Sequence, residues 1–269
     1  MDRKPVVSGK FYPGTPVQLQ RNCEALIGIE EQAQGKRYFE RPYGAILPHA
    51  GYIYSGKTAG MALKELVRYG CPRYVIILGP NHTGYGKSVS VWPEGYWHVP
   101  NGSVKVSEEI VEMIVDDQII FKDMDAHLFE HSIEVQLPLL IAAFGEFELV
   151  PICMLDQRLS TALKVAEKIK KVLEKYPETL VVASSDFNHY DPHEVTLDKD
   201  EKVIKYVLSG ELEEMYKAIS QYDVSMCGPG PVAVVRSLFE NVKLIYHTTS
   251  AEFSQDYLYT VGYASFVLS

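Results

Sequence analysis

Three histidines of this chain sit just past uncharged, β-branched runs, and a side chain placed there is one that a folded sheet can put to chemical use. Thr179–Ala183 reads TLVVA, and the polar stretch SSDFNHYDPH follows at once from Ser184 to His193. A run of this kind is what a strand buried on both faces looks like. The grammar occurs twice upstream, where YGAILPHAG places His49 and RYVIILGPNHTG places His82 just beyond similar runs. Ligands of open α/β sheets bind outside the carboxyl ends of the strands, so His49, His82 and His189 would converge if their strands share one edge. Cys227 is a fourth candidate, in a Gly-Pro loop (MCGPGP) ahead of an apolar helical pattern. A rigid turn can aim its side chain there, and a helix N-terminus favours a thiolate. Imidazoles and a thiol together suit metal binding with proton transfer.

Each candidate also has an alternative reading. The glycines of GPNHTG permit close backbone approach to a ligand, but the loop lacks the Lys-Ser/Thr ending of a phosphate-binding loop. Cys227 fits a nucleophile, a thiolate ligand or a buried structural thiol, and the nucleophile requires His189 beside it. His189 is expected as general acid or base. Asp186 can orient a ligand, bind metal or cap its loop; a carboxylate beside His189 is expected to fix that ring, with Cys227 completing the metal site. His127 and His131 stand four apart, as on one helix face, yet HLFEH lacks the order of zinc-protease helices. Glu130 is therefore expected behind the ligands and His131 as a second catalytic group. His98, His193 and His247 default to structural or surface roles. Cys23, Cys71 and Cys153 have no paired spacing and read as buried small hydrophobes.

Around these residues, strand and helix patterns alternate throughout, which predicts a single α/β domain over residues 1–269. Its doubly wound, mostly parallel or mixed sheet should be covered by helices on both faces. A helical pattern starts at Thr15, runs through Leu19, Cys23, Leu26 and Ile27, and is closed by Gly35. Val104–Val115 reads as another helix, and Pro138 should kink or reset the next one. Trp92, Tyr96 and Trp97 read as an aromatic loop roofing a pocket. The chain has 269 residues, a formal net charge of −9 and 46% hydrophobic residues. That balance provides a core and argues against a nucleic-acid footprint. Apolar runs of about eight residues are too short for a membrane span, which needs roughly 20. The N-terminal MDRKPVVSGKFYPG lacks the apolar region of a secretory signal, so the expected location is the cytoplasm.

The motifs SGKFYPG, LPHAGYIYSG, GPNHTGYG, EHSIEVQLP, SSDFNHY and CGPGP follow one another in this order. Their order and content make the chain resemble the Memo-like family, in microbes also called AmmeMemoRadiSam system protein B. One departure is YWHVPNGSVKV, which stands where the family usually has Thr-Pro-Leu-Gly. The resemblance implies a fold similar to class III extradiol dioxygenases, which open catechol rings with non-haem Fe(II). It also implies His49 and His82 as metal ligands, Cys227 in the place of the third and His189 as the catalytic histidine. Fe(II) is the implied ion, with Zn or Cu as alternatives because sulfur is a softer ligand than a carboxylate. The expected function is metal-dependent oxidation of a small substrate. The alternatives are a module that binds a peptide or protein in the same pocket, and a metal-dependent hydrolase. A functional link to radical-SAM and AMMECR1-like proteins is implied as well.

Overall fold

The computed structural model describes residues 1–28 and 37–269. After an N-terminal arm come α1 (Pro16–Ile27), β1 (Tyr43–Leu47), α2 (Tyr52–Val67) and β2 (Tyr74–Pro80). Three short strands follow, β3 (Val89–Val91), β4 (Tyr96–Val99) and β5 (Gly102–Val106), then α3 (Glu108–Ile114), β6 (Phe121–Lys122) and α4 (Gln136–Phe144). The second half adds β7 (Glu148–Met154), α5 (Leu159–Lys175), β8 (Thr179–Ser184), β9 (His189–Asp191), α6 (His193–Ser209) and α7 (Leu212–Gln221). It closes with α8 (Pro229–Leu238), β10 (Val242–Thr249), α9 (Ala251–Ser254) and β11 (Thr260–Leu268).

The strands form one mixed sheet whose main path runs β10-β11-β1-β8-β2-β7-β3-β6. Its centre is parallel: Tyr43–Leu47 of β1 lies in register with Leu180–Ser184 of β8, and β8 and β7 flank β2 in the same sense. Every residue of β1, β2 and β8 is buried, as expected of strands covered on both faces. Helix α2 packs on β1 with α1 and α4, whereas α8 packs on β1, β2 and β8 with α5, so the two faces are covered by different helices. Since β1, β8 and β2 are adjacent and parallel, their carboxyl ends share one edge. His49, Asp186 and His82 each lie two residues beyond an end on that edge. Among the described residues, no helix is long and apolar enough to cross a membrane.

Several local expectations change. The predicted helix over Val104–Val115 divides, with Gly102–Val106 in a strand and only Glu108–Ile114 helical. Pairing of Tyr96–Val99 with Gly102–Lys105 and of Lys105–Val106 with β7 commits that segment to the sheet. Helix α1 ends at Ile27 with Gly28 left-handed (φ 69°), and Gly35 lies outside the described residues. Pro138 does reset its helix: it occupies the first turn of α4, where a missing N–H costs nothing. Of the three aromatic residues expected to roof a pocket, Tyr96 lines a surface cavity, but Trp92 and Trp97 do not. Both are buried edge-to-face, and Trp97 lies under the guanidinium of Arg3 at 4.2 Å.

Candidate metal centre

His49, His82 and His131 each offer a ligand atom, and these atoms all lie within 4.8 Å of one another. Proton accounting fixes which nitrogen is free on two of them. Ser184 Oγ donates its single hydrogen to the Ser132 carbonyl at 2.7 Å and accepts from Gln136 Nε2 at 2.8 Å. Its contact with His49 Nδ1 at 2.9 Å is therefore a bond that the imidazole donates. His82 Nδ1 lies 2.9 Å from Glu130 Oε1, and an ionised carboxylate only accepts. Both rings thus carry a hydrogen on Nδ1, and in the neutral form present Nε2 as a lone pair. A hydrogen bond behind the ring is the usual support of a metal-bound histidine. His131 has a looser support, its Nδ1 lying 3.4 Å from Glu130 Oε1.

The electrostatics suit a cation. Burial, reinforced by the neighbouring His131 and His82, lowers the His49 pKa well below its ordinary value, so the ring is neutral. Burial likewise lowers His131. Burial also acts to lower His82, but the hydrogen bond and charge of Glu130 outweigh it and raise that ring. Glu130 is 1% exposed, and burial alone would raise it. Its bonds to His82 and to backbone N–H groups hold it instead at about 2. Two rings kept neutral by burial, and a third tied to a buried carboxylate, form a donor set that a divalent ion would complete.

Cys227 lies against His49, with Sγ 3.4 Å from Nε2, and its sulfur accepts the Asp186 backbone N–H at 3.1 Å. An ion bound to both at ordinary distances, about 2.1 Å to nitrogen and about 2.3 Å to sulfur, would hold them about 3.6 Å apart. The grouping of three imidazoles does not extend to Cys227. Burial pushes its thiol far up, overriding the helix N-terminus expected to favour the thiolate. Asp186 does not hold the His189 ring as expected: its Oδ1 accepts the His49 backbone N–H at 2.8 Å. The ring is held by Ser225, whose carbonyl oxygen accepts from Nδ1 at 2.7 Å, leaving His189 Nε2 as the acceptor atom. Buried Asn188 sets the Ser225 loop by accepting its N–H at 3.2 Å.

His127 and His131 do not share a helix face. Only Asp125–His127 forms a 3-10 turn, after which His127 enters the core between Trp92 and Trp97 while His131 stacks on His82 at 4.8 Å. The arm supplies groups that sequence reasoning missed. Buried Arg3 bonds to the carbonyls of His127 and Glu130 and to Glu134, and Phe11 packs 4.9 Å from His131. The available signal was Glu134 itself, a charge inside the apolar run SIEVQLP, which requires a buried partner. His98, His193 and His247 bond to Ser103, Thr249 and Asp200.

In front of the imidazoles lies an open cavity of about 550 Å³ lined by His49, His82, His131, Asp186 and His189 together with several aromatic side chains.

A family model described as Memo-like protein matches residues 3–267. A MEMO1 family protein of Thermotoga neapolitana is 42% identical, covering 100% of both chains, and one of Saccharolobus solfataricus is 41% identical over 98% of each. Among solved structures, an uncharacterized protein of Escherichia coli K12 aligns with a TM-score of 0.55 at 13% identity, over 85% of this chain and 100% of that one. At that identity the likeness concerns the fold alone.

Proposed function

The chain belongs to the Memo-like family, and from that premise we propose that it binds a divalent metal and oxidises a small aromatic substrate in the adjoining cavity. The observation that carries this reading is the meeting of three imidazoles on one sheet edge, two of them tied back through Nδ1. His49 and His82 hold the ion through Nε2. Cys227 is the third ligand, supported by its separation from His49 and by the N–H that Asp186 aims at its sulfur. Fe(II) is the ion we assign, on the family's likeness to extradiol dioxygenases, with Zn or Cu as the alternatives that a thiolate favours.

A bound redox-active ion would supply oxygen activation and polarise a substrate hydroxyl. The remaining work falls to side chains of this chain. His189, with its hydrogen fixed on Nδ1, takes the hydroxyl proton at Nε2. His131, which lines the cavity beside His49 and His82, is the second proton-handling group. The test is anaerobic loading with Fe(II), followed by O₂-uptake measurements on a broad panel of catechols with wild type and His189→Ala. Uptake that falls about 100-fold or more in the variant is the expected result, and no uptake with any catechol removes the oxidation reading.

A second reading, a binding module without chemistry, draws on Tyr190 and Tyr259, which line the cavity yet remain 74% and 69% exposed. Capture of one specific partner to the same extent by wild type and by a folded His49→Ala/His82→Ala variant would favour it.

A further inference from the structure

We propose that the cavity selects aromatic amines over aromatic acids, holding the ring among its tyrosines and the ammonium at Asp256. This deepens the small-substrate reading above and rests on it. Phe11, Tyr54, Tyr190 and Tyr259 supply aromatic lining, and among the described residues no lysine or arginine lines the cavity. A carboxylate or phosphate drawn into it would give up water without gaining a lysine or arginine partner among the described residues. An ammonium meets the opposite conditions, because aromatic faces attract it and a carboxylate pairs with it.

Asp256 belongs to the turn between α9 and β11, elements that contribute none of the imidazoles. Its Oδ1 accepts the backbone N–H groups of Leu258 at 2.9 Å and Tyr259 at 3.4 Å, so the carboxylate is fixed and holds the segment that carries Tyr259. Lys57, which reaches α9, is engaged by Glu252 at 2.6 Å and does not neutralise Asp256. A metal at the imidazoles would attract an anionic end of any ligand, but a second charged end within the cavity still meets Asp256 and the tyrosines.

The experiment is calorimetric titration of the protein after metal removal with 2-phenylethylamine, 2-phenylethanol and 3-phenylpropionate. The amine should bind about tenfold or more tightly than the acid, with the alcohol between them, and Asp256→Asn should bring amine and acid to within about threefold. Equal or tighter binding of the acid, an unchanged ratio in Asp256→Asn, or no binding of any of the three overturns the inference. None of these ligands has a ring hydroxyl to oxidise, so the outcome separates from that of the catechol panel. Amine preference without O₂ uptake overturns only the oxidation reading, and O₂ uptake without amine preference overturns only this one.

Discussion

The His82 imidazole gives its Nδ1–H to Glu130 Oε1 at 2.9 Å, while Oε2 of the same carboxylate takes the His82 backbone N–H at 2.6 Å. One buried anion thus sets both the position of the residue and the direction of its ring. Glu130→Gln keeps the size and removes the charge, and its amide is able to turn an N–H toward a nitrogen that already bears hydrogen. Metal affinity should fall about 10- to 100-fold, the usual loss when a group behind a ligand is removed. Competition against a chelating dye measures it, and an affinity equal to wild type would mean that Glu130 does not support a ligand.

Cys227 is assigned to the metal on its contact with His49, and Co(II) reads that assignment directly. A sulfur-to-cobalt charge-transfer band should appear in the wild type and in His131→Ala and vanish in Cys227→Ser, each protein first shown to be folded. If the wild type binds Co(II) without that band while His131→Ala loses the metal, the centre is held by His49, His82 and His131.

His127 provides a pH dependence away from the proposed ligands. Burial first, and then the charge of Arg3, lowers its pKa from 6.5 to about 3. Below about pH 6.5 the unfolded chain therefore takes up a proton that the folded chain refuses until about pH 3. Stability from this residue is complete above the unfolded value and is lost as pH falls through that window, by about 1.4 kcal/mol per pH unit. His127→Gln keeps an N–H for the Ser90 carbonyl, which His127 Nε2 contacts at 3.2 Å, and removes the titration. Between pH 7 and pH 5 the wild type should lose about 2 kcal/mol more than the variant in urea unfolding. Parallel losses would show that the ring protonates without cost.

Gly262 marks a contact that leaves no room for a side chain. An added Cβ would lie 1.8 Å from Asp200 Oδ2, and the other oxygen of Asp200 accepts the Asn188 backbone N–H at 2.9 Å. Gly262→Ala should cost about 2 kcal/mol through overpacking and disturb the Asn188–Ser225 hold on His189. Thermal unfolding measures the first effect, and the second is a fall in O₂ uptake beyond any lost folded fraction. A midpoint equal to wild type would mean that Asp200 moves aside freely.

Much of the centre was legible because its signals are local. The uncharged runs before His49, His82 and Asp186 can satisfy their backbone and bury their side chains only as central strands, and the rule for ligand sites on parallel sheets then places all three residues on one edge. The six ordered motifs identified the family for the same reason, each being a short stretch readable without knowing what it touches.

Partnership was not legible. Asp186 was expected to hold the His189 ring, and a carboxylate three residues away is a sound local candidate, but the turn after β8 directs it to the His49 backbone and leaves the ring to Ser225. His127 and His131 share helical spacing, yet Trp92 and Trp97 bury one while the helix starts only at Gln136, so the other is free to join the imidazoles. The sheet, its reactive edge and the residue types on it follow from hydrophobic runs and turns, which act over a few residues. Which nitrogen of each ring is tied back, which carboxylate serves which histidine, and that Cys227 meets His49 across 178 residues of chain are set by the folded packing. Those outcomes depend on hydrogen bonds a few ångströms long between segments far apart in sequence, and no local pattern encodes such distances.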